Sequence, residues 1–174
     1  VEAPVHLCLA TCTVRSWAEA DAPAVARHAD NRAIWRNLRD AFPHPYHPAH
    51  AEAFIRAARA ADPETAFAIE VDGEAAGGVG LKLGTDVERV GAEIGYWLGE
   101  AFWGRGITTE AVRAVTGYAV ERFGLTRVFA LPFAWNDASC RVLEKAGFAL
   151  EGRLRRSALK DGEVVDQLLY AFVV

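Results

Sequence analysis

An α+β fold, a mixed and mostly antiparallel sheet flanked by helices on both faces, is what the patterning of this chain predicts. Three observations carry that expectation. Asp72-Gly73 and Asp161-Gly162 each sit between β-type runs, the signal for tight hairpins. A helical stripe, Val112, Val115, Ala119 and Phe123, follows the strand-like run Val90–Leu98 across a glycine-bearing turn. The elements come in the order strand, helices, hairpin plus strand, helix, strand, helix, hairpin, which calls for one sheet covered by helices.

Residues 6–15 alternate as a first strand. Asp21, or the residues just before it, caps a helix running to about Ala29. Ile34, Leu38 and Phe42 recur at helical spacing, so a second short helix is expected before Pro43. Phe42-Pro43-His44-Pro45-Tyr46-His47-Pro48 reads as a rigid, extended loop, because three prolines preclude regular structure and lower the entropy cost of ordering it. A helix from His50 to about Ala61 breaks at Asp62-Pro63. Phe67–Val71 and Ala75–Leu83 flank the first Asp-Gly turn, and Thr85–Arg89 is a polar turn into the strand at 90–98. Gly124 stops the long helix, and Arg127–Phe133 is the next strand. Asn136 or Asp137 then caps a helix ending at Ala146, with Gly147 suited to the left-handed closing position and Phe148 packing back. Strands at 149–159 and 164–173 surround the turn Lys160–Glu163. The expectation is seven strands in a single domain over 1–174.

A chain of 174 residues can bury a proper core. With 52% hydrophobic and 24% charged residues it reads as globular, not disordered. The net charge is −4 with no basic run, which argues against general nucleic-acid binding and leaves docking on a basic protein open. Cys8, Cys12 and Cys140 make no metal-ligand spacing, and His44 and His47 have no ligand partners in sequence, so no metal is expected. The odd cysteine count points to reduced thiols in a cytoplasm. No apolar run approaches a membrane span, so no membrane partner is expected. Leu9-Ala10-Thr11-Cys12 is not expected to be a lipoprotein cleavage site, since no basic residue precedes it and Thr11 fits poorly. Arginine outnumbers lysine and alanine is abundant, which hints at a GC-rich bacterial genome.

The chemistry centres on Phe102-Trp103-Gly104-Arg105-Gly106-Ile107-Thr108-Thr109-Glu110-Ala111. Two glycines let the backbone come close to a ligand and take angles other residues avoid. The helix that follows opens with N–H groups lacking an internal partner, at the positive end of its dipole. Such a turn can cradle a phosphate. On spacing alone it reads equally as an ordinary strand-to-helix turn. Gly-x-x-x-x-Gly-Lys-Ser/Thr is absent, and Thr109 stands where a third glycine of Gly-x-Gly-x-x-Gly would be.

Longer strings are more specific. Glu-Ile-Gly-Tyr-Trp-Leu (93–98), Trp-Gly-Arg-Gly-Ile-x-Thr-Glu-Ala (103–111), and Asn136-x-x-Ser139-x-x-Val142-Leu143-Glu144-Lys145-Ala146-Gly147-Phe148 followed by Glu151-Gly152 together resemble the GNAT superfamily of acetyl-CoA-dependent N-acyltransferases. The chain is most similar to the branch of ribosomal-protein N-terminal acetyltransferases and spermidine acetyltransferases. The resemblance covers roughly residues 10–174. It departs at Ala101, where the superfamily often has Gln or Arg, which removes a side-chain contact and leaves the backbone cradle.

The resemblance implies the GNAT acyl-CoA N-acyltransferase fold, acetyl-CoA as cosubstrate and direct transfer to an amine. It assigns Trp103, Gly104, Arg105, Gly106, Ile107, Thr108 and Thr109 to the CoA pyrophosphate, chiefly through backbone N–H groups. Arg105 either adds charge or stands in solvent. Thr108 and Thr109 are phosphate ligands or merely a helix start, and the family motif retains Thr109. Backbone groups of Tyr96, Trp97 and Leu98 would contact the pantetheine arm, with an N–H serving the oxyanion, while the side chains of Tyr96 and Trp97 could still be core aromatics. Asn136 either hydrogen-bonds the arm or the substrate, or caps its helix. Ser139 either helps the thiolate leave or is a first-turn serine. Lys145 reads better as an exposed helix lysine than as a partner of the 3′-phosphate. Cys140 lacks a matching histidine and is not expected to act as a nucleophile. Glu93 is the candidate base, directly or through a water, or else a partly buried structural carboxylate; strand alternation puts it on one face with Trp97. The proline-rich loop, with His44, Tyr46 and His47, borders the acceptor pocket by family precedent or simply packs over the sheet.

The attacking amine must be neutral. An α-amino group, near pKa 8, loses its proton far more easily than a lysine-type amine near 10.4, a difference of about 3–4 kcal/mol. A modest base therefore suits a protein N-terminal α-amine or a small primary amine. Polyamine or antibiotic acetylation is the alternative enzyme reading, disfavoured by the histidines and few acids of the acceptor loop. A CoA-binding regulatory module without turnover is the alternative of another class. It would lose Asn136, Ser139 and Glu93, and all three are present. A monomer or a homodimer is expected.

Overall fold

Two mirror-image turns set the sheet's registers. Asp72 and Gly73 take φ of 51° and 82°, and Asp161 and Gly162 take 52° and 77°, the paired left-handed geometry that matches strand twist. In the computed structural model, which describes residues 3–174, these turns join β3 (Ala66–Val71) to β4 (Glu74–Leu83) and β7 (Ala149–Lys160) to β8 (Glu163–Val173). Val1 and Glu2 of the expected domain lie outside the described residues. The remaining strands are β1 (His6–Cys8), β2 (Thr13–Ser16), β5 (Gly91–Leu98) and β6 (Arg127–Ala130). The helices are α1 (Ala22–Ala29), α2 (Arg32–Trp35), α3 (Pro48–Ala60), α4 (Ile107–Phe123) and α5 (Asp137–Lys145).

The sheet is mixed and mostly antiparallel, in the order β1-β2-β3-β4-β5-β6-β8-β7. Among the described residues it has eight strands, not the seven expected. The stretch 6–15 breaks at residues 9–12, where Leu9 N–H donates to Cys12 O at 2.9 Å, and the halves pair as a hairpin with Leu7 opposite Val14. Two further expectations were too long. The helix expected through Phe42 ends at Trp35, after which Asn37 and Leu38 donate three residues back, to Ile34 and Trp35, and tighten the chain into turns. The strand expected to Phe133 ends at Ala130, although Phe133 makes an isolated bridge to Gln167.

The chain divides into two units. One comprises the residues up to Gly80 together with Tyr96–Ala111, the other Leu81–Gly95 with Val112–Val174. In the first, Trp17, Val25, Ala29, Tyr46, Ala51, Ile55 and Ala68 form a buried cluster, with Phe42 and Trp97 packed against it. Beside it the Arg15 guanidinium holds both oxygens of Asp21 at 2.9 and 2.8 Å and also bonds Glu70. In the second, Val112, Val115 and Ala119 of α4 are fully buried, as the helical stripe expects, along with Val128 and Leu143. There β5 and β6 pair in parallel from Gly91↔Arg127 to Glu93↔Phe129. No described helix is long and apolar enough to cross a membrane.

Candidate active site

The end of β5 lies closer to β4 than any side chain would allow. A Cβ on Gly77 would sit 2.3 Å from Trp97 O, and one on Gly78 would sit 2.9 Å from Trp97 Nε1 and 3.2 Å from Trp17 Cζ2. Gly99 N–H then donates to Ala76 O at 2.8 Å, which fixes where the chain leaves the sheet. A short 3-10 turn, Glu100–Phe102, leads to Trp103, whose Nε1 reaches back to Leu98 O at 2.8 Å. The Leu98 carbonyl is thus already engaged.

Gly104 and Gly106 take φ of 76° and 77°, and a Cβ on either would meet nothing within 4 Å. Glycine is needed here for conformation, and the space beside the turn is open. α4 starts directly after it, and Glu110 N–H is bonded to Gly106 O at 3.2 Å. The N–H groups of the preceding helical residues have no acceptor within the helix. This open, glycine-built turn at the start of a 17-residue helix fits a diphosphate. Arg105 does not extend away: its Nη2 donates to Ala101 O at 3.2 Å and its guanidinium lies 5.5 Å over the Phe102 ring.

Two residues outside the sequence-based candidates make contacts on either side of this turn. His28 lies against the segment before it, edge to the Phe102 ring at 5.3 Å, with Nδ1 3.0 Å from the Cβ position of Gly99 and Nε2 2.9 Å from Glu74 Oε1. Glu110 accepts from the N–H groups of Ala10 at 2.9 Å and Thr11 at 2.8 Å, and from the Thr11 hydroxyl. Glu110 belongs to the recognised string, but nothing in its spacing points to residues 10 and 11.

The proline-rich loop lies in the same unit. Tyr46 is a core residue, stacked near Phe42 at 5.1 Å, and burial raises its phenol above the ordinary value. Phe42 in turn stands edge to Trp97 at 5.7 Å. Asp30 anchors the loop, accepting from Tyr46 N–H at 3.0 Å, with His44 Nδ1 3.9 Å away. His47 caps α3, and its N–H donates to His50 Nδ1 at 2.9 Å.

The other unit holds Glu93, Asn136 and Ser139. Glu93 is the last residue of the parallel pairing and is partly buried. Asn136 is the N-cap of α5, its Oδ1 accepting from Ser139 N–H at 3.2 Å. The cap uses only the carbonyl end of the amide, so Nδ2 keeps its donors. α5 closes as expected, with Gly147 at φ 95° and Phe148 N–H bonded to Leu143 O at 2.9 Å. Cys140, next to Ser139, is buried, and burial pushes its thiol above the ordinary value. Tyr170 donates to Glu144 Oε1 at 2.9 Å; burial first, then Glu144, raises its phenol well above the ordinary value. Among the described residues no three His, Cys, Asp or Glu side chains form a metal-ligand set.

The family model described as Acetyltransferase (GNAT) domain matches residues 12–149. The chain is 38% identical over 82 residues to an uncharacterized N-acetyltransferase, YoaA, of Bacillus subtilis, covering 47% of this chain and 46% of that protein. It is 34% identical over 83 residues to the ribosomal-protein-serine acetyltransferase of Escherichia coli, covering 48% of this chain and 46% of that protein. The matched region spans about half the length of these relatives. Among solved structures, RimJ of Mycobacterium smegmatis in complex with a CoA disulfide superposes with a TM-score of 0.84 at 26% identity, covering 99% of this chain and 86% of that one.

Proposed function

Since the chain belongs to the acetyltransferase (GNAT) domain family, we propose that it moves the acetyl group of acetyl-CoA directly to a primary amine, most suitably the N-terminal α-amine of a protein or peptide. The observation that carries this reading is the Gly104–Gly106 turn, two left-handed glycines with clear space beside them at the head of α4. Trp103 to Thr109 hold the coenzyme's diphosphate, and Gly104 and Gly106 bare the backbone that does so. Acetyl-CoA supplies an activated thioester. Tyr96, Trp97 and Leu98 receive the pantetheine arm, and a backbone N–H there meets the charge that develops on the carbonyl oxygen.

Asn136 has amide donors left to give to the arm or the substrate, and Ser139 is the candidate to help the thiolate leave. Glu93 accepts the amine's proton, directly or through water. His44, Tyr46 and His47 shape the acceptor side, Tyr46 as a buried wall and His47 by fixing the start of α3. The E. coli relative, named a ribosomal-protein-serine acetyltransferase, supports a protein acceptor, and the CoA-bound neighbour supports the coenzyme. The same reading takes the chain as one cytoplasmic domain, monomeric or homodimeric, that needs no metal.

Two measurements test it. Incubation with acetyl-CoA and a panel of peptides and amines should release free thiol, and release no faster than background with every acceptor would refute the enzyme reading. Gly106→Val, which forces a branched side chain onto a left-handed residue, should weaken CoA binding at least tenfold while leaving the far-UV circular dichroism unchanged. Unaltered affinity would remove the turn from the coenzyme site.

A further inference from the structure

Trp17, in the turn after β2, is 4% exposed, and its Nε1 is buried with no hydrogen-bond acceptor among the described residues. A polar group left unpaired in an interior has lost its water without a replacement partner, which is unfavourable. A phenylalanine would fill the same space without that cost, so the indole N–H calls for a reason.

Its surroundings supply one. The benzo edge of Trp17 and the Nε1 of Trp97 both crowd the place where Gly78 has no side chain, at 3.2 and 2.9 Å from the Cβ position. Two indoles therefore meet over one glycine. Phe54 stands edge-on to Trp17 at 5.4 Å, and Phe42 and Tyr46 continue the wall. These rings offer N–H donors on an apolar ground. A neutral carbonyl oxygen finds a donor there. Trp97 also belongs to the strand segment assigned above to the acyl arm. Its side chain thus links the unpaired donor to the reacting end of that segment. Phe54, 40% exposed, is the outermost ring of this wall.

We propose that the indole N–H of Trp17, with that of Trp97 beside it, receives the first carbonyl oxygen of the acceptor, so that the preferred acceptor is an α-amine followed by a peptide bond. This rests on the acetyltransferase reading. It adds a determinant outside the recognised strings, and Trp17 becomes a substrate-binding residue.

The test compares an N-terminal alanyl peptide amide with a simple alkylamine, by free-thiol release and by the 15N-indole resonances of the full chain. Trp17→Phe should lower the peptide-to-alkylamine ratio of kcat/KM about tenfold, while its Tm, equal to or above wild type, shows that packing survives. In the wild-type protein saturated with CoA, the Trp17 indole N–H signal should move downfield with the peptide and stay with the alkylamine. An unchanged ratio, or a Trp17 signal indifferent to the peptide, overturns the inference. Absence of transfer to every acceptor overturns the acetyltransferase reading instead, and the resonance shift still tests whether Trp17 meets a peptide carbonyl.

Discussion

Asp21 illustrates how one carboxylate is held. Burial alone would raise its pKa, but the Arg15 guanidinium and the Ala18 N–H outweigh burial and hold it below the ordinary value. A depressed folded value contributes stability above the unfolded value of about 3.9 and loses it as pH falls through the folded one. Asp21→Asn should therefore lower stability by about 1–3 kcal/mol at neutral pH. The gap to wild type should narrow in urea melts below about pH 4. A gap of full size at pH 3 would assign the effect to shape, not charge. Individual residues also show what spacing could not reveal. The Asp21 cap position was legible, because acids before a helix have a local reason to be there. Arg15, His28 and Trp17 were not, because their partners lie far off in sequence, 55 positions from Arg15 to Glu70 and 74 from His28 to Phe102, and only folding brings them together.

At the level of elements, tightness between β4 and β5 decides where the loop after β5 begins. Gly77→Ala would place a methyl 2.3 Å from the Trp97 carbonyl, so one backbone must move. Overpacking of this kind costs about 1–3 kcal/mol, and because Trp97 moves too, the KM for acetyl-CoA should rise along with the loss in Tm. A stable variant with unchanged KM would mean the strands have slack. The sequence made the hairpins at 72–73 and 161–162, and the α5 closure at Gly147, readable, since each needs a left-handed residue that few side chains tolerate. The β1–β2 break was hidden because its turn, Leu9–Cys12, contains no Gly, Pro, Asn or Asp and is held from Glu110 instead. The early end of α2 was hidden because the spacing Ile34, Leu38, Phe42 persists through turns that are not helical. Asn136 shows a readable position with two compatible duties, one amide end capping α5 and the other left to donate.

For the molecule as a whole, the chain visits each unit twice, passing between them within β4, β5 and α4. Neither unit is a continuous stretch of sequence. Residues 3–80 expressed alone lack Trp97, the Phe102 ring against His28, and Glu110. They should show no cooperative thermal transition in circular dichroism, whereas the full chain should. A sharp melt of that fragment would mean it is an independent domain. The bond from Glu110 to Ala10 spans 100 positions, and this carries over to biosynthesis. The tip of the amino-terminal hairpin stays untethered while the intervening chain is made, about 5–20 s at ordinary ribosomal speed. Any chaperone that meets the nascent polypeptide in that interval meets a loose end.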